Sequence, residues 1–136
     1  MWKEPLPIQT VQDDNLTDHF STKELREGDI NATIRWHFAL TGLGFDSLTI
    51  SFGGQIIAGV RSSAQGPQRG FESQYGIDWD ASQNLVTLYI FRVTTELNGI
   101  FTCRVSAVKG VGTLPFSSNV QVDLLGKVNK LWHSLT

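Results

Sequence analysis

Leu97-Asn98-Gly99-Ile100-Phe101-Thr102-Cys103-Arg104-Val105 is the stretch whose reading decides the fold. Phe101, Cys103 and Val105 alternate with Ile100, Thr102 and Arg104, the period-2 pattern of a strand with one face in a core. Gly99 stands just ahead, at the corner where the chain turns into that strand. Upstream, Leu85 to Val93 reads as a neighbouring strand with Leu88, Ile90 and Val93 facing in. Downstream, Gly110 and Gly112 make a hairpin tip. Leu114 to Leu124 then returns with Val120, Val122 and Leu124 on one face.

The same alternation recurs toward the N-terminus. Ala32, Ile34, Trp36 and Phe38 alternate with Asn31, Thr33, Arg35 and His37, after a Glu27-Gly28-Asp29 turn signal. Thr41 to Gly44 is a loop. Leu48, Ile50 and Phe52 form a further strand, ended by Gly53-Gly54, a dipeptide able to supply the positive φ of a two-residue hairpin. Gln55 to Val60 is its partner. Arg61 to Gly70, rich in Ser, Gly and Pro, reads as the longest loop, and Tyr75, Ile77 and Trp79 mark one more strand. Short strands at regular spacing with no helical period predict an all-β, two-sheet antiparallel sandwich.

Residues 1–19 read as a leader or edge strand, broken by Pro5 and Pro7, with Phe20 to Leu25 as a short edge strand after it. Residues 20–126 form the domain, and residues 127–136, with Leu131 and Trp132, form a tail. At 136 residues the chain is long enough for one real core. A net charge of −2 gives no electrostatic reason to expect nucleic acid or an anionic membrane as partner. No apolar run approaches the roughly 20 residues needed to span a bilayer. Met1-Trp2-Lys3-Glu4 is not followed by the apolar stretch of a signal peptide. Any targeting or membrane-anchoring segment is therefore expected outside these residues. The single cysteine, Cys103, excludes an internal disulfide and leaves the redox compartment open.

Glu27-Gly28-Asp29, Leu88-x-Ile90-x-x-Val93 and Gly99-x-Phe101-x-Cys103, in this order, resemble the immunoglobulin superfamily over roughly Phe20 to Gly126. The match is to its V-type, Greek-key sandwich. The resemblance implies a cysteine at position 36 and a tryptophan near position 50. The chain has Trp36 and Ile50 instead. The core pin is thus expected to be Trp36, Ile50, Phe101 and Cys103, packed without the covalent bridge and with volume roughly kept. A buried Trp36 would need an acceptor for its indole N–H. Phe101 stands where the family's corner tyrosine would be, and Leu97 where an acidic residue would be. A tryptophan at this position also resembles V-type domains of invertebrate cell-surface receptors, including those used in allorecognition.

Little chemistry is expected. Cys103 faces the core while His37 faces out, so the two should not form a nucleophile pair. Asp78 to Asn84 has oxygen ligands at alternate positions but lacks the glycine and glutamate of a calcium loop. His19, His37 and His133 have no metal-ligand spacing. No catalytic, metal or cofactor-binding residue is nominated, and no cofactor is expected.

The expected function is non-enzymatic recognition or adhesion: an extracellular, cell-surface ectodomain module binding a protein partner, homotypic or heterotypic. Membrane contact would come only through segments outside this sequence. Thr49, Ser51, Thr102, Arg104 and Ser106 should form one outward, polar face suited to a protein interface. Tyr89 and Phe91 should project from the other sheet as a second candidate contact. Asn15 and Asn31 head Asn-x-Thr acceptor patterns for glycosylation. A structural module of an intracellular array is the main competitor. A carbohydrate-binding module that uses Tyr89 and Phe91 is the other.

Overall fold

Alternation of β-branched and aromatic residues with short polar ones favours strands that bury one face, and two such sheets close on each other. The computed structural model describes residues 2–5, 9–10, 18–61 and 64–125. In chain order the strands are β1 (Trp2–Glu4), β2 (Gln9–Thr10), β3 (Asp18–Arg26), β4 (Ile30–Phe38), β5 (Gly44–Phe52) and β6 (Gln55–Arg61). β7 (Ala64–Pro67), β8 (Tyr75–Asp80), β9 (Leu85–Arg92), β10 (Ile100–Lys109) and β11 (Gly112–Leu125) complete them. One 3-10 turn, Thr95–Leu97, joins β9 to β10 and buries Leu97.

The strands form two sheets. One has the order β1-β4-β9-β8, the other β2-β3-β11-β10-β5-β6-β7. Among the described residues pairing is antiparallel with one exception: β3 runs parallel to β11, from Ser117 opposite Asp18 to Leu125 opposite Arg26. The chain starts on the smaller sheet and then crosses to the larger one, where it lies beside the last strand in the same direction. The wholly antiparallel expectation is corrected there.

Three boundaries also differ from the sequence reading. The edge strand placed at Phe20 to Leu25 extends over Asp18–Arg26, paired along its length with β11. The strand placed from Leu48 starts earlier, at Gly44, where Gly44 lies opposite Val108. The loop placed over Arg61 to Gly70 contains β7, hydrogen-bonded to β6 with Gly59 opposite Gly66. Glycines and a proline gave that segment no alternation to read. β1, inside the segment read as leader or edge strand, pairs with β4 and sends Trp2 into the core. The 127–136 tail lies outside the described residues.

The core is one continuous layer between the sheets. Trp36, Ile50, Phe101 and Cys103 are each 0% exposed. Cys103 sits opposite Ile50 across β10 and β5, while Trp36 sits opposite Val86 across β4 and β9. Phe101 packs on Phe52 at 4.5 Å between ring centroids. The acceptor expected for the Trp36 indole is missing: its Nε1 is buried with no hydrogen-bond partner among the described residues.

Candidate recognition face

The outer face of the larger sheet is built by the side chains that alternate with the core set. Thr102, Arg104 and Ser106 leave β10 on the side opposite Phe101, Cys103 and Val105. The register sets them beside Ser51, Thr49 and Ser47 of β5 and beside Asn119, Ser117 and Pro115 of β11. The sequence thus places Thr49, Ser51, Thr102, Arg104 and Ser106 in one patch, and the structure brings all five together. Four are half-buried among their neighbours, and Arg104 is exposed. The Thr102 hydroxyl donates to Asn119 Oδ1 at 2.7 Å, which pins two short side chains flat on the sheet.

Toward β7 the floor of this face loses its side chains. The row through Arg104 and Thr49 continues to Gly59 and then Gly66. A methyl on Gly59 would meet the Leu48 carbonyl oxygen at 3.3 Å, so the strands approach closely there. The result is an open trough of about 370 Å³, bordered by Ser47, Thr49, Arg61, Gln65 and Gln68. Arg61 and Arg104 are both exposed, and neither is bonded to another described side chain. Sequence reading missed Arg61, Gly59 and Gly66. Arg61 could have been found by counting: it lies opposite Ser47, in phase with Thr49 and Ser51.

Tyr89 and Phe91 are on the other side of the molecule, on the outer face of the smaller sheet. Tyr89 is half-buried, and Phe91 is 37% exposed. The Phe91 ring reaches across Gly76 of β8, where an added Cβ would lie 3.0 Å from its Cζ. The two candidate patches are therefore not one site. Arg35, beside them on β4, pairs with Glu4 at 3.6 Å. Asn31 is exposed, with φ of 56°. Asn15 lies outside the described residues.

Two other groups singled out in the sequence, Cys103 and Asp80, have structural roles. Burial pushes the Cys103 thiol far up, so the reactive thiolate does not form on the inner face of β10. Asp80 Oδ1 accepts from the Ser82 hydroxyl at 2.6 Å and the Ser82 N–H at 3.0 Å, and the hydroxyl bond first of all holds its carboxyl below the usual range. That carboxylate closes a turn. Among the described residues no cluster of three or more His, Cys, Asp or Glu could hold a metal ion. No known family model matches this chain, and no curated protein matches it.

Proposed function

We propose that this chain is a V-type immunoglobulin-like recognition module of an extracellular, cell-surface protein. In this reading it binds a protein partner through the outer face of the larger sheet. The V-type reading draws support from the parallel β3–β11 pairing and from the β6 and β7 strands added to the larger sheet. The observation that carries the functional reading is Arg104. It is an exposed guanidinium with no described partner, set in a flat field of Ser, Thr and Asn beside the Gly59/Gly66 trough. Arginine offers five donors in a planar fork and is enriched among the residues that carry most of an interface's binding energy. The short floor lets a partner approach the sheet closely, and the rigid sandwich loses little entropy when it does.

The test uses the domain displayed on beads and, as a multimer, on a panel of cells. Bead–bead adhesion reports a homotypic partner, and cell staining reports a heterotypic one. Arg104→Glu is expected to lower either signal at least tenfold, while Tyr89→Ser on the opposite face leaves it unchanged. Binding that survives both Arg104→Glu and a Thr49→Arg block would sink the reading.

A further inference from the structure

Arg61 lies opposite Ser47 and Arg104 opposite Thr49, which sets the two arginines two strands and two residues apart on the outer face of the larger sheet. At ordinary strand spacing their Cα atoms are about 12 Å from each other. In the outward rows that cross β7, β6, β5, β10 and β11 through Arg61, Arg104 and Thr102, the other positions are Gly, Ala, Ser, Thr, Asn, Pro and Ile. The one carboxylate of β5, Asp46, accepts the Ser47 hydroxyl at 3.1 Å and pairs with neither arginine. Asp123 is further along β11 than these rows reach, and Asp18 enters one strand beyond Ser117, on β3. The whole chain has a net charge of −2, so the two guanidiniums make a cationic island on an anionic molecule.

That charge pattern selects among occupants. In a twofold contact of this face with its own copy, Arg104 would meet the cations of the other copy, and like charges set against each other oppose docking. A long polyanion gains from a run of cations, which two guanidiniums on a net negative chain do not supply. A carboxylate suits each arginine, because its two oxygens match the planar guanidinium fork. We propose that the partner of this face is a different protein, one that presents two acidic side chains at that same separation, one to Arg104 and one to Arg61. Between the two arginines β5 presents Ser47 and Thr49, short enough to leave both guanidiniums open to one partner.

This rests on the recognition face proposed above and names the chemistry of its partner. The probe is a disulfide-closed β-hairpin peptide with Glu-x-x-x-Glu on one strand, which spaces the two acidic residues about 13 Å apart on one face. Its Gln-x-x-x-Gln twin is the control. Both are titrated into the isotope-labelled full chain and followed by arginine Nε–H and backbone amide resonances. The Glu hairpin should shift the resonances of Arg61, Arg104 and Thr49 and bind roughly tenfold more tightly than its twin, an advantage lost between about 50 and about 500 mM salt. Arg61→Gln and Arg104→Gln should each remove most of that advantage, and both residues are exposed, so the fold survives either change. Equal binding of the two hairpins, or shifts that bypass the arginines, would overturn the carboxylate pair. Arg104 resonances that move on dilution of the chain alone would show self-association here and overturn the different partner. Multimer staining of cells keeps this proposal apart from the reading it rests on. Staining lost in Arg104→Glu but insensitive to salt, or abolished by sialidase or heparinase, would leave the face and overturn the acidic protein. Staining kept in Arg104→Glu would overturn the face itself.

Discussion

Trp36 joins two effects of opposite sign in one side chain. Its ring is fully buried opposite Val86, in the layer that also holds Cys103 and Ile50. Its Nε1 has no partner among the described residues. Deleting a core aromatic costs about 3–5 kcal/mol, so Trp36→Ala should remove a large share of the ~5–15 kcal/mol that holds a domain together. An orphaned buried N–H is itself destabilising by about 1–3 kcal/mol. Trp36→Phe removes that donor and keeps most of the ring, so its denaturant midpoint should stay near wild type. A Trp36→Ala midpoint close to wild type, or a Trp36→Phe midpoint as low as Trp36→Ala, would contradict this account. The position of Trp36 is legible in the alternation of 32–38. The missing acceptor is not, because it depends on what the opposing sheet presents.

At the scale of elements, the hairpin between β5 and β6 turns on Gly53 and Gly54, with φ of 59° and 90°. Two successive positive φ values give a two-residue turn whose twist matches that of the strands it joins. Among the described residues no atom lies within 4 Å of a Cβ added to Gly54, so the effect of a side chain there is backbone strain. Gly54→Ala should cost roughly 1–2 kcal/mol, and Gly54→Asn less, since asparagine tolerates the left-handed region. Equal urea midpoints for Gly54→Ala and wild type would show that the turn relaxes into another form. This hairpin was readable because glycine pairs have one strong meaning between alternating runs. β7 was not, since glycine and proline at an edge look the same whether or not they hydrogen-bond to β6. The recognition face was therefore legible where side chains alternate, at Thr49, Ser51, Thr102, Arg104 and Ser106. It was hidden where backbone alone forms it, at Gly59 and Gly66.

Across the whole molecule, the two sheets are also joined by a group that belongs to neither alternating pattern. His19 of β3 is 2% exposed. Its Nδ1 lies 2.6 Å from Ser118 Oγ, and its ring stacks on Trp2 of the opposite sheet at 5.9 Å. Trp2 in turn packs edge-on against Phe38 and Phe116. No periodicity marks a histidine and a tryptophan in a segment that reads as leader, and only the crossing of the chain between sheets brings them together. Burial lowers the His19 pKa below its ordinary 6.5, because a charged imidazolium there loses its water, and Nε2 has no partner among the described residues to replace it. The sign follows from counting protons. Below pH 6.5 the unfolded chain binds a proton at His19 that the folded chain does not, so stability is intact above that value and falls as the medium acidifies. Asp80, whose carboxyl is held below 3.8, contributes only in a more acidic window. The urea midpoint of wild type should therefore drop between about pH 7.5 and 5.5, and His19→Gln, which keeps a polar contact for Ser118 but does not titrate, should drop less. The same fall in both proteins would move the acid sensitivity away from the His19–Trp2 junction. A smaller fall in the variant would make that junction the acid-sensitive link between the two sheets.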